Sequence, residues 1–329
     1  MDLTGWWLRP SGFCIAFTCN LQLLYMRRLK HWLEYQGTRF LFFLAPILPW
    51  SWMLAAGGLL GKFTFSILRI RRRVTLENLA HAFPEKSAAE LKNIARRAYE
   101  NFGMMMLEYL RLPKLSPEEL QRRISFAMPA EQNPYEQALA LGKGAICMTG
   151  HFGNWEYMGA LVALMQYPMV YLYQEQNNPY VDALIRGIRT QMQMPSIPRG
   201  AALRGILKAL REKKFVAILA DQDAGSNGIF VDFLGRPAST GRGPAAFVLK
   251  TAAPIVFCVA IRQPGGHHRV EAELLTFEFS ENGAADDEEK LRQITEAWTK
   301  VLEKYIRQYP DHWFWMHRRW KTKPVISNQ

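Results

Sequence analysis

From about residue 121 the chain alternates short apolar runs with segments of helical spacing, and no other feature restricts its fold as strongly. The runs are "GAICMT" from 144, "MVYLYQ" from 169, "FVAILA" from 215, "PIVFCVAI" from 254 and "RVEAELLTFEF" from 269. Helix-like segments separate them at 155–165, 179–191, 201–212 and 241–252, and a longer one follows at 285–308. Strands joined through helices of this length cross over rather than fold back as hairpins, so most of them run parallel. The pattern therefore predicts an α/β domain over 121–325, a mixed, largely parallel sheet flanked by helices. The chain carries no internal repeat or low-complexity tract that would point elsewhere.

Open α/β sheets place their chemistry beyond the carboxyl ends of the strands. "GHFGNWE" at 150–156 lies there, directly after "GAICMT". If His151 and Glu156 belonged to one helix, five steps of about 100° would set them about 140° apart and on different faces. A direct pair requires His151 in the turn before the helix, with Gly153 allowing the bend and Asn154 capping the helix. A carboxylate holding one ring nitrogen would then leave the other free as a general base. The plainer alternative is a turn histidine with Glu156 favourably placed at a helix N-terminus. A second strand end, "FVAILADQD", delivers Asp221, Gln222 and Asp223. With no His or Cys cluster beside them, an arginine partner such as Arg189 or Arg199 is a better reading than a metal.

Other stretches are less specific. The glycine-rich "LGRPASTGRGPAA" at 234–246 lacks the spacing of a phosphate-binding P-loop. "PGGHHR" at 264 reads as a turn, with His267 and His268 solvated. "YPDHWFWMHRRWKTKP" at 309–324 interleaves cations with aromatics and suits nucleic acid, anionic lipid or a charged-capped core equally. The balance of 41 Lys and Arg against 29 Asp and Glu, a formal charge of +12, favours anionic partners. Four scattered cysteines exclude a disulfide scaffold and a zinc-ribbon spacing.

Before the α/β part, residues 40–61 carry no charge over about the length that crosses a bilayer, although two prolines and three glycines interrupt them. Basic residues flank both ends, so charge bias does not orient the segment. The expected organisation is an N-terminal extension at 1–36, with Met26 a natural start, a membrane anchor at 37–62, spanning or half-inserted, and a helical segment at 63–120; the alternative for the apolar stretch is a segment buried in the protein or lying in the interface. In that segment Ser87 and Glu90 match a capping box. Met104, Met105 and Met106 read as core or gap filling more readily than as a lipid contact.

Together these features resemble the late acyltransferases of bacterial lipid A biosynthesis, within the lysophospholipid acyltransferase superfamily. The resemblance runs from about Met26 and rests on an ordered set: the HX4E box of His151 and Glu156, "VTLENLAHAFPE", "QNNPYVDALIRGIR", "ADQDAG" leading into "VDFLGRPASTGRGPA", and "WFWMHRRWKTKP". It implies an inner-membrane enzyme, facing the cytoplasm, that moves a fatty acyl chain from an acyl carrier protein thioester to a hydroxyl of a lipid A precursor. No metal, other cofactor or nucleic-acid partner is implied. His151 would be the base and Glu156 its orienting carboxylate. Arg189 and Asp221 match two more positions associated with activity, and Asn154, Gln222 and Asp223 would support them. Many relatives have an arginine where this chain has Gln174, which bears on substrate contacts. Two alternatives remain: acylation of a phosphatidylinositol mannoside or lysophospholipid from acyl-CoA, and a non-catalytic membrane-anchored binder of anionic lipid.

Overall fold

All five residues of Ala145–Thr149 are buried, as are seven of the nine in Ile255–Gln263. Strands apolar on both faces belong in the middle of a sheet covered on both sides. A computed structural model describes residues 12–129, 132–279 and 286–324 and places both strands there. Five helices come first: α1 (Gly12–Leu44), α2 (Trp50–Phe63), α3 (Arg72–Ala82), α4 (Ala88–Arg111) and α5 (Pro117–Arg123). Next come β1 (Ile124–Phe126), α6 (Pro134–Ala140), β2 (Ala145–Thr149), α7 (Trp155–Leu164), β3 (Met169–Tyr173) and α8 (Pro179–Gln191). They lead into β4 (Ser196–Pro198), α9 (Ala202–Arg211), β5 (Phe215–Leu219), β6 (Ile229–Asp232) and β7 (Pro237–Thr240). The chain closes with α10 (Gly243–Thr251), β8 (Ile255–Gln263), β9 (His267–Leu275) and α11 (Asp287–Gln308).

Seven strands form one sheet in the order β1-β9-β8-β2-β5-β3-β4, and β6 and β7 make a separate hairpin. Only the β8 and β9 neighbours run antiparallel in the large sheet, so it is mixed and largely parallel. Alternate strand residues feed two cores. Ile146, Met148, Val216, Ile218 and Phe257 pack with α9, α10 and α11 on one face. Ala145, Cys147, Phe215, Val256 and Cys258 pack with α6 and α7 on the other. Cys147 and Cys258 are free, buried thiols.

Local chemistry explains the helix starts. Ser87 and Glu90 form the reciprocal capping box at α4. Asn154 caps α7 by accepting from Tyr157 N at 3.0 Å, and Asn178 caps α8 with Pro179 in its first turn. The turn at 264–266 is present, but the expectation that both following histidines are solvated is corrected. His267 is exposed, whereas His268 is 2% exposed, because the pleat of β9 turns alternate side chains inward.

The uncharged stretch at 40–61 is not one element. Its prolines break it at Ala45–Pro49, ending α1 and starting α2 anew. Among the described residues, the stretch long and apolar enough to cross a membrane is instead Trp50–Leu68. One face of it is committed to the protein. Gly57 and Gly61 lie against α4 so closely that a Cβ on Gly61 would stand 2.0 Å from Tyr99 O. The other face exposes Trp52, Leu59, Leu60, Phe63 and Ile67. Residues 1–11 of the expected extension and residue 325 at the expected domain end lie outside the described residues.

Candidate active site

β2 and β5 are parallel neighbours with Thr149 opposite Leu219. Two residues beyond each of these ends come His151 and Asp221, so strand register alone brings them together. His151 Nδ1 lies 2.7 Å from Asp221 Oδ1, and the His151 backbone N–H donates to Oδ2 at 2.7 Å. Trp313 Nε1 donates to the same Oδ2 at 2.8 Å. Asp221 is 3% exposed, so its charge rests almost wholly on these donors. Burial pushes its pKa up, but the His151 ring and the three hydrogen bonds overcome this and hold it at about 2. On His151, burial lowers the pKa, while Asp221 and, more weakly, Glu156 raise it, and the net direction is upward. A carboxylate on Nδ1 fixes the tautomer with the proton there, leaving Nε2 unprotonated with only the long contact from Gln222 Nε2 at 3.4 Å.

The turn carrying His151 is held from both sides. Gly153 has φ 59°, and a Cβ there would lie 1.7 Å from Ala260 O, so only glycine lets the turn sit on β8. On the opposite side Phe314 N donates to His151 O, and Gly153 N donates to His312 O, both at 2.9 Å. The ring is bounded by Trp155 at 5.2 Å and Phe314 at 6.2 Å between centroids. The aromatic and basic stretch at 309–324 is thus largely core: Trp313, Trp315 and Arg319 are buried, and Arg319 donates to Ser239 O and Thr240 Oγ1 at 2.5 Å.

The expected roles of the carboxylates are rearranged. Asp221, not an arginine-bound acid, is the ring partner of His151, and the predicted direct contact of Glu156 with the ring is replaced by an ion pair. Glu156 receives Arg189 Nη2 at 3.3 and 3.4 Å. It points from the first turn of α7 toward α8, away from the strand-end register that His151 and Asp221 share. Burial raises its pKa, opposed by Arg189. Arg199 donates to Gln174 Oε1 at 3.0 Å, so neither candidate arginine pairs with the 221–223 acids. Asp223 accepts from Thr322, and its N–H donates to His317 Nε2 at 2.9 Å. Gln222 Nε2 reaches to 3.4 Å from His151 Nε2.

A cavity of about 640 Å³ opens beside the histidine and is lined by His151, Glu156, Arg189, Gln222 and Asp223. Inward its walls become apolar: Met105, Met158, Met169, Tyr171, Met194, Cys147, Cys258 and Tyr135. Met105 is buried and Met106 exposed, and both reach this cavity, a use of the methionines that composition did not reveal. Such a volume falls in the range of about 300–1,000 Å³ typical of small-molecule sites. Among the described residues no three His, Cys, Asp or Glu side chains gather so as to hold a metal ion. A histidine with one nitrogen held by a carboxylate and the ring at the mouth of such a cavity can remove a proton from a bound hydroxyl.

Sequence reasoning missed Trp313, Glu108 and Arg262. Glu108 is fully buried, accepts two bonds of 2.6 Å from Arg262 and receives Asn154 Nδ2 at 2.7 Å. The one available signal was a glutamate in the apolar stretch of α4, "GMMMLEYL".

The sequence profile of a family described as bacterial lipid A biosynthesis acyltransferase matches residues 22–322. The chain is 28% identical over 298 residues to lipid A biosynthesis lauroyltransferase of Escherichia coli K12, covering 90% of this chain and 93% of that one. It is 26% identical over 301 residues to the lipid A biosynthesis palmitoleoyltransferase of the same organism, with the same coverage. A phosphatidylinositol mannoside acyltransferase of Mycobacterium tuberculosis is similar at 23% over 184 residues, 55% of this chain and 58% of that one.

Proposed function

Because the chain belongs to the bacterial lipid A biosynthesis acyltransferase family and is thereby an acyltransferase acting in lipid A biosynthesis, we propose that His151 is its general base and the adjoining cavity its acyl-chain site. The observation that carries this reading is the His151–Asp221 pair, with Nδ1 held at 2.7 Å and the ring at the polar mouth of a cavity whose inner walls are apolar.

His151 Nε2 takes the proton of the acceptor hydroxyl as its oxygen attacks the thioester carbonyl carbon. The tetrahedral oxyanion then collapses, the carbon–sulfur bond breaks, and the thiolate leaves with the proton returned from His151. An ester replaces the thioester and the enzyme is unchanged. Asp221 orients the ring and stabilises the imidazolium that forms in between. Glu156 adds negative potential at the ring and holds Arg189 on the cavity wall, while Gln222 and Asp223 line the entrance and Asn154 fixes the start of α7.

The donor is an acyl carrier protein thioester, a reading supported by the +12 charge of the chain, which favours an acidic partner. The acceptor is a lipid A precursor. The exposed apolar face of α2, flanked by Arg27, Arg28, Lys30, Lys62 and Arg71–Arg73, anchors the protein to the cytoplasmic face of the inner membrane.

Purified protein in detergent, given lauroyl, myristoyl or palmitoyl carrier protein and a tetra-acylated or penta-acylated lipid A precursor, tests the reading. Transfer by the wild type should fall by about 10²- to 10⁴-fold in His151→Ala. Undiminished transfer in that variant would make His151 a structural turn residue.

A further inference from the structure

The reaction uses only one of two buried polar centres beside the His151 turn. The other is Glu108 on α4, fully buried, whose two oxygens take both terminal nitrogens of Arg262 at 2.6 Å. A third bond comes from Asn154 Nδ2 at 2.7 Å, while Asn154 Oδ1 caps α7 at Tyr157 N. Asn154 therefore faces two ways. It stands three residues after His151 and two before Glu156, at the junction between the turn that holds the base and the helix that holds the acid. Arg262 also supports the far side of the same turn: its N–H donates to His312 Nε2 at 3.1 Å, His312 O accepts from Gly153 N, and the His312 ring stacks on Phe152 at 5.5 Å.

We propose that the Glu108–Arg262 pair is a positioning device for catalysis, acting through Asn154 and His312 to fix where the His151 turn meets α7. A site with three charge-assisted bonds is far stiffer than the helix cap alone, because Glu108 and Arg262 cannot separate without leaving a charge unpaired and Asn154 is bonded to that fixed carboxylate. A general base is sensitive to such support, since displacements of about 1 Å at the reacting atoms already slow a reaction strongly. The inference rests on the reading of His151 as base.

The geometry offers a test by inversion. Asn154→Asp keeps the cap oxygen for Tyr157 N but sets a second carboxylate against Glu108. Adding Glu108→Gln returns a donor opposite that carboxylate and restores the original net charge of the triad, with the hydrogen bond reversed and one of the two Arg262 bonds given up, because the amide nitrogen replaces the oxygen that accepts from both Asn154 and Arg262 Nη2. The measurement is kcat and KM for lauroyl carrier protein and a tetra-acylated lipid A precursor, with thermal midpoints recorded alongside. Asn154→Asp should lower kcat at least about 30-fold and leave both KM values within about threefold. Glu108→Gln alone should lower kcat about 10-fold, and the double variant should recover to within about fivefold of the wild type. Wild-type kcat in folded Asn154→Asp, or a double variant no better than the worse single, overturns the proposal. Should Asn154→Asp not fold, Glu108→Gln and the double variant decide it by the same criteria. His151→Ala measured in parallel separates the two claims: activity retained there removes the base itself, whereas its loss beside unaffected Asn154→Asp and Glu108→Gln removes only the positioning role.

Discussion

Asp221 and Glu108 are both buried carboxylates, and each braces one end of the short segment 151–154, yet their partners differ in kind. Asp221 is held by an imidazole that can gain and lose a proton and whose second nitrogen meets a cavity. Glu108, itself fully buried, is held by the guanidinium of Arg262, which offers five donors and no lone pair. Either charge alone would be very costly to bury, and each is tolerated because its partner is close and well aligned. The difference teaches that burial and pairing do not by themselves mark chemistry. An exchangeable partner with a free lone pair at a cavity does. The two neighbouring histidines obey the same rule. Asp221 raises the pKa of His151, whereas burial, aided by Arg262, pushes His268 well down and keeps it neutral.

The sharpest way to break the comparison is to remove the charge at Asp221. Asp221→Asn deprives His151 Nδ1–H of its acceptor and should cost about 10³-fold or more in kcat. The amide fills the same volume but lacks the charge that lowers the Asp221 pKa, so the thermal midpoint should fall by only a few degrees. Steady-state kinetics beside a melting curve checks both halves. If Asp221→Asn unfolds while retaining specific activity in its folded fraction, Asp221 holds the fold and does not serve the base.

Glu108→Ala probes the other centre and should act on stability. It leaves Arg262, whose side chain is 11% exposed, charged and without its carboxylate, for a loss of about 3 kcal/mol, read from the midpoint of denaturant unfolding. A loss below about 1 kcal/mol would mean that water replaces the carboxylate at Arg262 and that the pair contributes little to the fold.

The pH dependence of stability should differ in sign between the two histidines. His151 has a folded pKa above its unfolded value of 6.5, so its contribution is fully present below pH 6.5 and is lost as pH rises through the folded pKa. His268 has a folded pKa below 6.5, so it withdraws stability as pH falls under 6.5, by at most about 1.4 kcal/mol per pH unit. His268→Gln should flatten that acid-side slope, as unfolding at several pH values would reveal. Asp221 adds stability above pH 3.8 that disappears as pH falls toward its folded value of about 2.

The smallest expected effect concerns Glu156. Since neutral His151 is the active form, the acid limb of kcat/KM should have its midpoint above pH 6.5. Glu156→Gln should move that midpoint down, by less than Asp221→Asn does, because Glu156 acts on the ring only through its field. An unmoved limb would confine Glu156 to holding Arg189.

Much of this was legible in the residues. Alternating apolar runs and helical segments determined the α/β fold, because the periods of 2 and 3.6 are local properties of a chain. Caps were equally local: Ser87 with Glu90 and Asn154 needed only their neighbours. Position at a strand's carboxyl end already singled out His151 and Asp221. The apolar stretch at 40–61 could be seen, but not the docking of its glycines on α4, which turned one of its faces inward.

Partnership was decided by the tertiary structure alone. Asp221 rather than Glu156 meets the ring because β5 lies beside β2, and strands buried on both faces carry the same apolar pattern whatever their neighbour. Trp313 reaches Asp221 across 92 positions of sequence, and Arg262 reaches Glu108 across 154. The sequence by itself therefore determined which elements form and which polar groups stand at their ends. Which of those groups share a proton, and which share only a permanent charge, was decided by strand order and helix packing, since these set distances between residues that no local pattern relates.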